Sequence, residues 1–134
     1  MTDPAESRAD AVRRRVLGPD GPSPHSPATD AEAAFSALAA REIWAGVWDR
    51  PGLDLATRRA ITMAVLVALG RPESLSLHAR GALADGMTAE QIGEIVLHCA
   101  LYCGAPAADV AFRALRPLLE GSDRADATSD THDP

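Results

Sequence analysis

Residues 54–70 read Asp-Leu-Ala-Thr-Arg-Arg-Ala-Ile-Thr-Met-Ala-Val-Leu-Val-Ala-Leu-Gly, and this stretch decides the fold. Asp54 is a suitable N-cap for a helix, and Gly70 ends the segment. From Ala60 onward the residues are apolar on nearly every side of the helix, which predicts a central helix buried by its neighbours. Thr62 interrupts the run, which is also too short to cross a bilayer, so we expect no membrane partner.

Further helices are predicted on both sides of this central one. A first covers about residues 29–48, and a third runs from Pro72 to the turn at 85–86. A fourth opens at residues 88–91, where Thr-Ala-Glu-Gln forms a capping box. A fifth covers about residues 107–115, and we expect the proline that follows at 117 to kink or end it. No strand pattern and no repeat are visible, so the fold class is all-α.

The two ends of the chain differ from its middle in composition. Residues 1–30 are expected to form an N-terminal arm, made of a short helix and a proline-rich loop. Residues 31–120 form the predicted helical domain. Residues 121–134 are polar and are expected to be disordered.

The charge balance excludes several classes of function. The net charge is −6, which argues against a nucleic-acid partner because duplex binding depends on neutralising phosphates. All thirteen basic residues are arginine, so no lysine is present to form a Schiff base with a substrate. The N-terminus lacks the apolar segment of a signal peptide, and we therefore expect a cytoplasmic protein.

Three segments together resemble the carboxymuconolactone decarboxylase family. They are residues 50–78, which end in Gly-Arg-Pro-Glu-Ser-Leu-Ser-Leu-His, residues 81–92, and residues 102–108. The resemblance covers roughly residues 35–119. It implies an alkylhydroperoxidase D-like helical domain with a central antiparallel helical hairpin. It also implies a homo-oligomer, either a hexamer or a trimer.

The redox branch of this superfamily carries a Cys-x-x-Cys pair shortly before a histidine, with a glutamate one helix earlier. The histidine corresponds to His78, but the cysteine positions hold Arg71 and Ser74, and the glutamate position holds Arg59. A peroxidase relay needs a thiolate and a resolving thiol, so this sequence lacks the reactive groups at that place. Cys99 and Cys103 are expected to pack as small apolar residues.

The resemblance implies decarboxylation of 4-carboxymuconolactone to β-ketoadipate enol-lactone and carbon dioxide. The departing carboxylate lies on the ring carbon γ to the lactone carbonyl, so its two electrons can move into a conjugated dienolate. The substrate is therefore its own electron sink, and we expect no cofactor and no metal. The site needs a hydrogen-bond donor for the carbonyl oxygen, a proton donor for the α carbon, and cations for the acidic groups.

His78 is the candidate for the proton donor or the oxyanion partner, with a structural histidine on a half-buried helix as the alternative. The other candidates are catalytic Tyr102 and Glu42 and the substrate-binding residues Arg71, Arg58, Trp44, Trp48 and His98. For the arginines the alternative is a solvated or intersubunit ion pair. For the aromatic side chains it is packing in the core or between subunits.

The sequence departs from the family's decarboxylase branch near these positions. Gly46 stands between the two tryptophans where a glutamate is usual, and Glu42 replaces a tyrosine. His98 and Cys99 stand where glutamine and threonine are usual. The substrate therefore stays open. The alternatives are a biosynthetic decarboxylase, isomerase or cyclase on the same scaffold, a non-catalytic helical assembly, and a residual peroxidase.

Overall fold

Helices follow one another along the described chain, which comprises residues 4–129 of a computed structural model, with side chains described to residue 125. They are α1 (Pro4–Leu17), α2 (Asp30–Leu38), a π-helical segment (Ala39–Trp48), α3 (Leu55–Ala68), α4 (Pro72–Ala84), α5 (Ala89–Cys103) and α6 (Ala105–Ser129). No strand occurs in residues 4–129, which confirms the all-α prediction. Within the same range no helix is long and apolar enough to cross a membrane.

The main core lies between α3, α4, α5 and α6. Each helix contributes the inward stripe expected from its spacing, because residues three or four apart share one face of a helix. Its large, fully buried side chains are Met63, Leu75, Ile92, Val96 and Leu115.

The predicted helix starts are confirmed by their caps. The Asp54 carboxylate accepts a hydrogen bond of 2.7 Å from the Thr57 N–H, and this contact lowers the pKa of Asp54. Thr88 and Gln91 form the reciprocal capping box, with bonds of 3.1 Å and 2.9 Å. These side chains satisfy backbone N–H groups that a helix start leaves without partners.

Helix α6 corrects two predictions about the C-terminal region. It continues through Pro117, because Leu118 and Leu119 beyond that residue pack against the core and hold the helical path. It then continues to Ser129, although residues 121–134 are predicted to be disordered. Extending a helix requires far less free energy than starting one, so a packed helix propagates into a polar segment. Residues 130–134 of the predicted tail lie outside the described residues.

Two further expectations about burial are wrong. Helix α3 is not enclosed on every side, since Ile61, Val65 and Leu69 are each about half exposed. They form one stripe at four-residue spacing, and no helix of the described chain covers it. Cys103 does not pack as a small apolar residue, because it is exposed, whereas Cys99 is buried as expected.

Helix α1 packs against the domain through a second, smaller core, which we call the tryptophan cluster. Its buried members are Val12, Val16, Leu17 and Trp48, and Trp44, Leu55 and Leu77 pack against them. The cluster therefore joins α1, the π-helical segment, α3 and α4.

The crossing of α1 over α4 depends on a glycine. A β-carbon built on Gly81 would lie 2.8 Å from the Leu17 α-carbon and would overlap the Val16 carbonyl oxygen. Gly18 ends α1 with a φ of 85°, a left-handed conformation that glycine adopts without strain, and it also faces Gly81. Only a residue without a side chain fits on α4 at this crossing.

Polar contacts tie the proline-rich loop to its neighbours. Arg13 of α1 donates to the Pro22 carbonyl. Glu32 accepts from the Ala28 N–H at 2.7 Å and contacts the His25 ring at 2.6 Å, and these bonds lower the pKa of Glu32. The loop therefore runs along α1 and the start of α2.

Gly81→Ala is expected to destabilise the protein by about 1–3 kcal/mol, the usual range for overpacking a tight contact. Gly93→Ala is the matched control, since Gly93 also lies inside a helix but a β-carbon there meets nothing within 4 Å. It should stabilise by about 0.5–1 kcal/mol through helix propensity. Urea unfolding followed by circular dichroism measures both, and equal effects of the two variants would contradict the tight crossing.

Candidate active site

His78 occupies the face of α4 that looks toward the tryptophan cluster. It is half-buried, and its Nδ1 atom is buried without a hydrogen-bond partner among the described residues. Burial lowers the pKa of the imidazole below its usual 6.5, and the positive charge of Arg59 lowers this pKa further. The ring is therefore neutral at neutral pH and has a polar atom available for a ligand.

The two tryptophans form an aromatic wall beside this histidine. The Trp48 and His78 ring centroids are 6.0 Å apart with the planes at 13°, and those of Trp44 and Trp48 are 6.2 Å apart at 27°. Trp48 is buried, whereas Trp44 is half-buried. The three rings therefore stack on one another, and Trp44 is the more exposed of the two tryptophans.

The helix that carries the tryptophans has π-helical bonding over Ala39–Trp48. Such segments are rare and often occur at functional sites. Gly46 fits this geometry, because a β-carbon there would lie 2.7 Å from the Arg41 carbonyl oxygen. The absence of the usual glutamate at position 46 thus coincides with a tight backbone approach.

Arg58 of α3 lies beside Trp48. The two residues line a cavity of about 140 Å³ together with Val47, Leu53, Ile61 and Thr62. Its Nη2 donates to the Arg50 carbonyl at 3.1 Å, while its Nε is buried and has no partner in the described chain. A guanidinium held at one end, with a free donor at the other, is suited to a carboxylate.

The sequence did not predict a role for the neighbouring Arg59. Its side chain is buried, and its Nη1 lies 2.5 Å from the Asp85 carboxylate. Its position in the sequence could have indicated a role, because an arginine inside a helix that is predicted to be buried must find partners in the protein.

Other predicted site residues lie elsewhere. Arg71 is exposed at the start of α4, two helical turns before His78. Glu42 is exposed on the π-helical segment and pairs with Arg41 at 2.6 Å. His98 and Tyr102 are exposed on α5, with ring centroids 5.2 Å apart. Within one chain, the structure brings together His78, Trp48, Trp44 and Arg58 of the predicted set.

Cys99 is buried and Cys103 is exposed, and the two thiols lie next to each other on α5. Burial raises the pKa of the Cys99 thiol, and the neighbouring Cys103 raises it further. A buried thiol with a raised pKa is a poor nucleophile, because the thiolate is the reactive form.

Comparison with known proteins identifies the lineage of this helical site. Residues 29–117 match the model of the carboxymuconolactone decarboxylase family. A 4-carboxymuconolactone decarboxylase of Acinetobacter baylyi is 43% identical over 86 residues, which cover 64% of this chain and 64% of the relative. A nitrosuccinic acid decarboxylase of Metarhizium robertsii is 44% identical over 63 residues, which cover 47% and 44%.

The matched parts thus span less than two thirds of the length of either relative. The family match covers the π-helical segment and helices α3 to α5, and with them all four grouped site residues. The chain belongs to the carboxymuconolactone decarboxylase family.

Proposed function

We propose that this protein is a carboxy-lyase that removes carbon dioxide from a small carboxylated lactone without a cofactor. One observation supports it above the others: of four buried side-chain polar atoms without partners in the described chain, two lie next to Trp48. They are Nδ1 of His78, whose ring stacks on Trp48, and Nε of Arg58, which lines a cavity together with Trp48. Buried polar atoms are normally hydrogen-bonded, so two such orphans beside one aromatic ring indicate a place for a polar ligand.

The proposed substrate is 4-carboxymuconolactone, the compound in the name of the Acinetobacter relative. Breaking the bond to the departing carboxylate sends two electrons through the carbon–carbon double bond to the lactone carbonyl oxygen. Carbon dioxide leaves, and the resulting dienolate takes one proton at the α carbon. The product is the enol-lactone.

Each grouped residue has a role in this scheme. Arg58 binds a substrate carboxylate through its free Nε donor. Neutral His78 donates a hydrogen bond to the oxygen on which charge develops. After carbon dioxide has left and water enters the site, His78 relays a proton from that water to the α carbon. Trp48 and Trp44 support the flat ring and keep water from the departing carboxylate, which favours its loss.

A second candidate substrate is a nitro-activated dicarboxylic acid, favoured by the Metarhizium relative, which is named for nitrosuccinic acid. A nitro group accepts an electron pair on oxygen as a lactone carbonyl does, so the same donor and the same arginine serve both reactions. Gly46 supports this candidate too, because it departs from the pattern usual in the family's decarboxylase branch. With such a substrate, the protein belongs to a biosynthetic route rather than to aromatic breakdown.

We also propose that the protein works as a homo-oligomer, a hexamer or a trimer. Helices α3 and α5 form an apolar groove of about 780 Å³ that is lined by Ile61, Leu97 and Leu101 among others. Leu97 and Leu101 are 55% and 82% exposed. Contiguous apolar surface of this kind is unusual on a monomer and typical of a subunit contact, so the proposed occupant is a second copy of the chain.

The first prediction concerns turnover. Incubation with 4-carboxymuconolactone should release carbon dioxide, and His78→Gln should lower kcat/KM by about 10²–10³, the usual loss for one donor of this kind. His25→Gln, an exposed histidine on the arm, is the control and should keep full activity. Release from nitrosuccinate instead would select the second candidate. A protein that releases carbon dioxide from neither acid would contradict the proposal and favour a non-catalytic assembly.

The second prediction concerns the protonation of His78. Because the folded state holds the pKa of His78 below its unfolded value of 6.5, the unfolded chain binds more protons between these two values. Stability should therefore fall as the pH drops through 6.5 toward the folded-state pKa, and level off below it. Urea unfolding at several pH values measures this, and His78→Gln should remove that part of the slope. An NMR midpoint for His78 at or above 6.5 would contradict it.

The third prediction concerns assembly. Leu101→Arg places a charge in the groove and should shift the oligomer to monomers in light-scattering chromatography, since a buried unpaired charge is strongly unfavourable. Val110→Arg is the control, as Val110 is exposed on α6 outside the groove. A wild-type protein that is monomeric at micromolar concentration would refute the assembly.

A further inference from the structure

The reaction scheme leaves one buried charge without a role, the guanidinium of Arg59. Only 2% of this residue is exposed. Burying a cation is strongly unfavourable unless it is paired and hydrogen-bonded, so its partners show what it stabilises.

Two of these partners are backbone atoms at the end of α1. The Arg59 Nη2 atom donates to the Arg15 carbonyl at 2.9 Å and to the Val16 carbonyl at 3.3 Å. The last carbonyls of a helix lack intrahelical partners and carry the negative end of the helix dipole. A cation placed there satisfies both carbonyls, and Asp85 at the end of α4 balances its charge at 2.5 Å.

The same end of α1 meets α4 at Gly81, one helical turn after His78. The Arg59 contacts and the glycine crossing therefore act on one short segment, residues 15–18. Arg59 holds that segment from α3, and Gly81 lets it approach α4 without a side chain between them.

The segment held in this way forms one side of the tryptophan cluster. Val12, Val16 and Leu17 of α1 are buried there with Trp48, the ring that stacks on His78. If the end of α1 moved away, Trp48 would lose its cover and His78 would gain water.

We propose that Arg59 is a positioning residue for the active site: it clamps the C-terminal end of α1 onto α3 and α4, and this clamp keeps the Trp48–His78 pair shielded from water. The inference rests on the proposed function for its catalytic consequence. The shielding itself is a property of the fold and is tested separately.

The chain contains a convenient reporter, since Trp44 and Trp48 are its only tryptophans. Acrylamide quenching of tryptophan fluorescence therefore reads the shielding of this site alone. The variants are Arg59→Met, which removes the clamp, and Gly81→Ala, which pushes α1 away and leaves the charge in place. Arg113→Met is the matched control, an exposed arginine on α6 that pairs with Asp109 at 2.7 Å.

We expect Arg59→Met and Gly81→Ala both to increase quenching about twofold or more, and Arg113→Met to leave it unchanged. In both clamp variants the NMR titration midpoint of His78 should rise toward 6.5, because desolvation weakens. Arg59→Lys should recover part of the shielding, since one ammonium can reach some of these acceptors without the planar fork. In a protein with decarboxylase activity, kcat should fall more than about tenfold in Arg59→Met with a smaller change in KM.

The outcomes separate the two proposals. If no acid is decarboxylated, the proposed function fails, while the quenching and the His78 titration still test the clamp. If Arg59→Met raises the His78 midpoint while quenching stays at the wild-type level, Arg59 acts through its charge alone and the clamp is overturned. Should Arg59→Met not fold, Gly81→Ala carries the test, and wild-type quenching in that variant would overturn the clamp as well.

Discussion

A permanent positive charge in the interior, on Arg59, constrains the arrangement of three helices at once. The Arg59 guanidinium donates hydrogen bonds to two carbonyls at the end of α1 and pairs with a carboxylate at the end of α4, and the Arg59 backbone belongs to α3. The Nε atom of Arg59 already lacks a partner in the described chain, so losing any of these three contacts would leave a buried cation with still fewer hydrogen bonds. Helix α1 is thus part of the folded domain. Its apolar side completes the small core in which Trp48 lies.

Most of the helical framework could be predicted from the sequence. The caps at Asp54 and Thr88 and the all-α class follow from spacing and end signals, and the structure agrees with them. The family match also supports the alkylhydroperoxidase D-like class. The end of α6 could not be predicted, since a proline weakens a helix locally while the packing of residues beyond it is a tertiary effect.

The grouping of the candidate site residues could be predicted only in part. His78, Trp48 and Arg58 lie on three consecutive helical segments that pack together, and the resemblance carried the information about that packing. Tyr102 and Glu42 have suitable chemistry, but they lie on exposed surfaces that a helical pattern alone does not distinguish from the site. Arg59 was overlooked because two of its three partners are backbone carbonyls, which no side-chain motif reveals.

The π-helical bonding of Ala39–Trp48 affects how sequences of this family can be aligned residue by residue. Bonds that span five residues place more of the chain in each turn than the four-residue bonds of an α-helix do. Two relatives can therefore have the same letters in this segment and yet direct them to different sides of the helix. A sequence alignment that places Glu42 or Gly46 in one column with a residue of a relative does not show that the two residues occupy the same position on the helix. Equivalent residues in this segment have to be identified by superposing the structures.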